Sequence, residues 1–132
     1  MTEPIHQEIT YSADPGRLYE TLISALSFSE FTGASAEIDA REGGSFSCFD
    51  GQIVGRNIEL VPGERIVQAW RVAAWDEGVY SVVRFSFEKL DANTRLTLDH
   101  TGFPDGFGEH LEAGWPKMYW EPLRTYLDQL VE

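Results

Sequence analysis

The sequence predicts an α+β domain: a curved antiparallel sheet of about six or seven strands, two short helices after the first strand, and a long C-terminal helix gripped by the sheet. Three observations predict it. Apolar and polar residues alternate over residues 64–72, 81–90 and 94–101, the period-two mark of antiparallel strands with one wet face. Turn signals separate these runs: Asp50-Gly51, Pro62-Gly63 and residues 91–93. Over residues 102–130, Leu111, Trp115, Met118, Leu123, Tyr126, Leu127 and Leu130 recur at steps of three and four. That spacing lays one wide apolar stripe along a helix, and the strands are the only large partner against which to bury it.

The elements follow in order. Residues 5–11 read as a strand, with Ile5, Gln7, Ile9 and Tyr11 on one face. Ser12 and Asp14 are candidate helix caps, and Pro15 suits a first helical turn. Leu18, Tyr19, Leu22, Ile23 and Leu26 follow at helical spacing, and residues 28–32 add a second short helix before Gly33. Ala36, Ile38 and Ala40 then alternate with charged residues. Gly43-Gly44 breaks the chain, and Phe46 and Cys48 share one face of the next strand. Residues 53–61 form another strand, with Val54, Ile58 and Leu60 in phase and Gly55 allowing the sheet to coil.

The next strands are clearer. Ile66, Gln68, Trp70 and Val72 share one face of residues 64–72. Residues 75–79 are a loop. Val83, Phe85 and Phe87 point one way in the following strand, and Leu96, Leu98 and His100 in the last one. Pro116 and Pro122 interrupt the final helix, because an interior proline loses a backbone bond and crowds the carbonyl four residues back. The expectation is a helix that bends there and follows the curved sheet.

Composition excludes several classes of function. The 132 residues suit one domain with one core. Ten Lys and Arg against 22 Asp and Glu give a formal charge of -12, so phosphate neutralisation and anionic membranes are poor fits, and neither nucleic acid nor membrane is expected as a partner. No apolar run is long enough to span a bilayer. The opening MTEPIHQEIT lacks the basic region and apolar core of a signal peptide. Cys48 is the only cysteine, so no internal disulfide forms. A cytoplasmic protein, monomeric or homodimeric, is the expectation.

Candidate chemistry sits on the inward faces. Trp70, Phe85, Phe87, Trp115, Tyr119 and Trp120 either line a pocket or fill an ordinary core, since aromatic side chains dominate both. Gln68 and His100 interrupt otherwise apolar faces. Each needs a hydrogen-bond partner, which is a ligand, the backbone or water. Glu109, His110 and Glu112 lack a second histidine at metal-binding spacing. No phosphate loop or nucleophile elbow is present, so neither metal nor cofactor is expected.

The same residues carry a family resemblance. Tyr11-Ser12-Ala13-Asp14-Pro15 closes the first strand. Gly43-Gly44-Ser45-Phe46 opens a later one. Leu60-Val61-Pro62-Gly63-Glu64-Arg65-Ile66-Val67 with Trp70, then Leu96-Thr97-Leu98-Asp99-His100-Thr101-Gly102-Phe103, His110 and Gly114-Trp115 complete the series. In this order they resemble the START-like, helix-grip superfamily. Within it, they resemble proteins related to the C-terminal domain of the activator of Hsp90 ATPase. The resemblance implies a sheet gripping a C-terminal helix over a cavity. Members bind hydrophobic small molecules, act on them, or serve as co-chaperones. The leading expectation is a binding protein for a small hydrophobic or aromatic ligand, with Gln68, Trp70, Phe85, Phe87, His100, Trp115 and Tyr119 around it. The alternatives are a chaperone-associated interaction module and a cyclase- or hydrolase-like enzyme in which His100 is the visible acid or base.

Overall fold

The computed structural model describes residues 4–130. Strand β1 (Ile5–Tyr11) leads into helices α1 (Pro15–Ile23) and α2 (Ala25–Thr32). Strands β2 (Glu37–Ile38), β3 (Ser45–Cys48), β4 (Ile53–Val61), β5 (Arg65–Val72), β6 (Ser81–Leu90) and β7 (Asn93–Thr101) follow. The chain ends in α3 (Gly108–Trp115), a π-helical turn (Pro116–Trp120) and α4 (Glu121–Leu130). All strands join one antiparallel sheet in the order β1-β7-β6-β5-β4-β3-β2. Five hairpin-linked strand pairs run from β2 to β7, and β1 returns beside β7. The result is the expected α+β architecture: a curved seven-stranded sheet with its helices packed over the inner face.

Register explains the core. One inward row runs Asn57, Gln68, Val83, His100 and Ile5 across five strands. The next runs Leu60, Ile66, Phe85, Leu98 and Gln7. Ile66, Val83, Leu96 and Leu98 are fully buried there, under Leu111, Trp115, Tyr119, Trp120, Leu123 and Leu127 of the last helix. Pro62-Gly63 makes the expected type II turn. Gly63 takes φ +74° and the Glu64 N–H bonds the Val61 carbonyl at 2.9 Å.

Three single-residue phase slips correct the sequence expectations. Leu26 is 71% exposed, because α1 stops at Ile23 and the Ser24 hydroxyl caps α2 by accepting from Ser27 N–H. Ile58 is 52% exposed, because the β4–β5 register shifts between Asn57 and Glu59. Val54 consequently lies opposite Arg71 on the outer face, while Leu60 lies opposite Ile66 on the inner one. Met118 is 44% exposed, because the π turn adds a residue and presents Tyr119 and Trp120 inward instead. The Leu130 side chain lies outside the described residues. The Asp50-Gly51 hairpin has a four-residue loop rather than a two-residue one, since Cys48 pairs with Ile53. Phe49, Asp50 and Gly51 all take positive φ, at 55°, 57° and 89°.

The last helix runs unbroken through both prolines. Pro116 has no N–H for the Glu112 carbonyl, and the Gln7 side chain of β1 supplies one instead, at 2.9 Å. The other end of the same amide, Gln7 Oε1, accepts the Trp120 indole N–H at 2.6 Å. The Tyr11 hydroxyl donates to the Trp120 carbonyl at 2.9 Å. Strand β1 therefore holds the π turn twice at Trp120 and the end of α3 once at Glu112.

Candidate functional site

The π turn places Lys117, Met118 and Tyr119 beside an open pocket of about 340 Å³ between α3 and the ends of β4 and β5. Trp70, Trp115 and Tyr119 form its aromatic inner wall. Phe49, Ile53, Val72 and Leu111 extend the apolar surface, with Gln52 and Gly114 beside them. Trp75 and Phe107 come from the two loops that flank the opening, and His110 comes from α3. Phe107 and Met118 are 40% and 44% exposed, so the rim is itself apolar. The wall is built by ring contacts. Trp115 and Tyr119 centroids lie 4.4 Å apart, Trp70 and Trp115 5.5 Å, and Trp70 and Trp75 6.1 Å. Phe49 holds a left-handed backbone that is rare for a bulky residue. Edge contacts to Phe28 and Tyr119, both at 5.6 Å, hold its ring in place.

Two wall residues carry an unmet hydrogen bond. Trp70 and Trp75 are buried, and the Nε1 of each has no partner. A buried donor left without an acceptor costs on the order of 1–3 kcal/mol. Tyr119 approaches Trp70 without reaching hydrogen-bond geometry. Burial lifts its phenol well above the usual value, the nearby Cys48 thiol adds to the rise, and the Trp70 N–H opposes it. Burial also pushes the Cys48 thiol up to about 12.

The seven residues expected around a ligand divide into groups. Trp70, Trp115 and Tyr119 line the pocket. Gln68 and Phe85 face a separate void of about 10 Å³ with Tyr119. Gln68 Nε2 donates to Asn57 Oδ1 at 3.1 Å, and Asn57 Nδ2 to the Asp39 carbonyl at 3.0 Å. Phe87 packs edge-on against Tyr19 at 6.3 Å, away from both spaces.

His100 is 0% exposed and fully occupied by the protein. Trp115 Nε1–H, which can only donate, points to His100 Nδ1 at 3.2 Å. The Ser81 hydroxyl donates to the Trp70 carbonyl at 2.9 Å, so it accepts from His100 Nε2–H at 2.8 Å. The ring is a neutral link in this chain, and burial lowers its pKa to about 4. Neither ring nitrogen is left to receive or release a substrate proton. Glu109, His110 and Glu112 are exposed, and no group of three metal-binding side chains occurs among the described residues.

Phe49, Trp75 and Phe107 were not marked by periodicity, because loops supply all three. A large aromatic residue inside an otherwise polar turn is the signal that could have found them.

Comparison with known proteins places this geometry. Residues 12–128 match the family described as activator of Hsp90 ATPase homolog 1-like protein. The chain belongs to that family. It is 31% identical over 124 residues to an uncharacterised protein of Schizosaccharomyces pombe, covering 94% of this chain and 37% of the relative. It is 30% identical over 115 residues to the human activator of 90 kDa heat shock protein ATPase homolog 1, covering 87% of this chain and 34% of the relative. It thus spans about a third of the length of these curated relatives. The crystal structure of an HSP90 activator from Plasmodium falciparum superposes with a TM-score of 0.92 at 26% identity, covering 96% of this chain and 97% of the other. The fold of this family member is the START-like helix-grip fold that the sequence resemblance implied. No helix among the described residues is long and apolar enough to cross a membrane.

Proposed function

We propose that this domain is a co-chaperone module that engages an Hsp90-class ATPase. The observation that carries the reading is the end-to-end match to the Plasmodium HSP90 activator, in which a chain of similar extent has the same fold. Membership of the activator family supports it. The test is direct. Isothermal titration of this protein into purified Hsp90 should give saturable binding, and the chaperone's ATPase rate should change in the same concentration range. A chaperone that neither binds nor changes its turnover would remove the reading.

A second reading rests on the pocket. An open, aromatic-walled space of about 340 Å³ lies within the size range of small-molecule sites, roughly 300–1,000 Å³, and has their apolar make-up. In this reading the domain holds a small apolar or aromatic ligand against Trp70, Trp115 and Tyr119. Native mass spectrometry against a library of lipids and aromatic compounds should retain a bound species of the wild-type protein. A Gly114→Trp variant, which fills the pocket, should lose it.

A further inference from the structure

We propose that the pocket selects flat aromatic molecules that carry an oxygen acceptor, a ketone or a carboxylate, over those that carry an amine. This rests on the ligand-binding reading above and names the chemistry of the guest.

The unmet and charged polar groups of the wall are donors, beside Gln52 and His110, whose side chains can also accept. The two indoles and the Lys117 ammonium can only donate. No Asp or Glu lines the pocket, although the chain has 22 of them against ten Lys and Arg. An acidic protein attracts cations over most of its surface. Here an incoming amine would find no carboxylate, with the Gln52 amide and the His110 ring among its side-chain acceptors, and would meet the Lys117 ammonium, whereas an acceptor would find donors.

The indoles supply the specific demand. Trp70 and Trp75 cross at 65°, and the Nε1 of each is buried without a partner. An aromatic face is only a weak acceptor. A guest oxygen would give such a donor the strong partner that the protein lacks. Neither nitrogen touches solvent as the walls stand, so the guest must displace a ring first. We assign that displacement to Trp75, which lies in a loop rather than in a strand. Its carbonyl is held by Arg71 Nη2 at 2.6 Å, and its side chain projects from within the connection between β5 and β6. Trp70, by contrast, lies within β5 between Gly55 and Ser81 of the neighbouring strands. The volume suits two or three fused rings.

The experiment uses the full chain and four matched naphthalenes: 2-acetonaphthone, 2-naphthoate, 2-ethylnaphthalene and 2-naphthylmethylamine. Binding is followed on the indole N–H signals of ¹⁵N-labelled protein, which has four tryptophans. The ketone and the carboxylate should bind roughly three- to tenfold more tightly than the ethyl analogue, the range expected for one satisfied hydrogen bond. They should move the Trp75 indole proton downfield, and the amine should bind no more tightly than the ethyl analogue. Trp75→Phe keeps a ring and removes the N–H, so it should bring the ketone down to the ethyl analogue's affinity. Equal affinity of ketone and ethyl analogue for the wild type would overturn the acceptor proposal and leave the ligand pocket standing. A folded spectrum that none of the four probes perturbs would overturn the pocket reading itself. If Trp75→Phe fails to fold, the wild-type ketone-to-ethyl ratio and the indole shift still decide.

Discussion

The Trp115 indole donates to His100 Nδ1 at 3.2 Å, and this bond ties the last helix to the sheet at the floor of the pocket wall. It also accounts for a histidine on an apolar strand face. The helix brings the donor, the neighbouring strand brings Ser81, and the imidazole fills the gap between them.

Trp115→Ala should destabilise the fold by about 3–5 kcal/mol, because it removes a buried indole and strands the imidazole. Trp115→Phe keeps most of the ring volume and loses only the donor, so about 1–3 kcal/mol is expected. Urea unfolding of the two variants separates packing from hydrogen bonding. Wild-type midpoints for both would mean that the helix stripe is misassigned.

Acid should weaken the fold through His100. In the unfolded chain this residue takes a proton near pH 6.5, but in the folded one only near pH 4. Between those values the unfolded state binds more protons and is favoured. The stability is fully present above pH 6.5 and is lost progressively as pH falls towards 4, on the order of 3 kcal/mol in all. His6 has the opposite sign. Hydrogen bonds to Asp99 and then Glu8 raise its pKa, so its stabilisation is present below pH 6.5 and fades as pH rises through the folded value. Urea midpoints measured between about pH 5 and 7 in a His6→Ala background report chiefly the His100 slope, because the carboxyls of Asp14 and Glu59, whose pKa values are lowered, lose their stabilisation mostly at lower pH. NMR of the native protein should show the His100 ring neutral down to about pH 5.

Gln7→Ala should loosen the clamp on the π turn. The change leaves the Glu112 carbonyl and the Trp120 indole without their partner, at a cost of about 1–3 kcal/mol. Hydrogen exchange should quicken first in residues 112–120. Uniform exchange across the protein would mean that the turn is held by packing alone.

Two glycines should respond in opposite directions to alanine. A Cβ on Gly55 would collide with the Ala69 carbonyl and the Phe46 ring, so Gly55→Ala should cost about 3 kcal/mol, the upper part of the overpacking range. A Cβ on Gly114 meets nothing within 4 Å, and the residue sits inside α3. Gly114→Ala should therefore stabilise by about 0.5–1 kcal/mol through helix propensity. Thermal melting distinguishes the pair.

The strand faces were legible wherever alternation ran without interruption, as in β5, β6 and β7. The misplaced residues share a cause. Leu26, Ile58 and Met118 each follow a local event, a helix break, a bulge and a π turn, that shifts the pattern by one position. Periodicity assumes a constant repeat, so it cannot register such a shift. The site was less legible for a different reason. Inward direction separates core from surface, but it does not separate the wall of a pocket from the interior behind it. Phe87 and Trp70 carry the same sequence signal, yet only Trp70 reaches the opening.

Burial of the lone thiol in β3 gives the molecule a built-in clock. Iodoacetamide needs a thiolate and a clear path, and the native state denies it both. Each carbamidomethyl group found on Cys48 by mass spectrometry would record one excursion that opened the interior, at one mark per molecule.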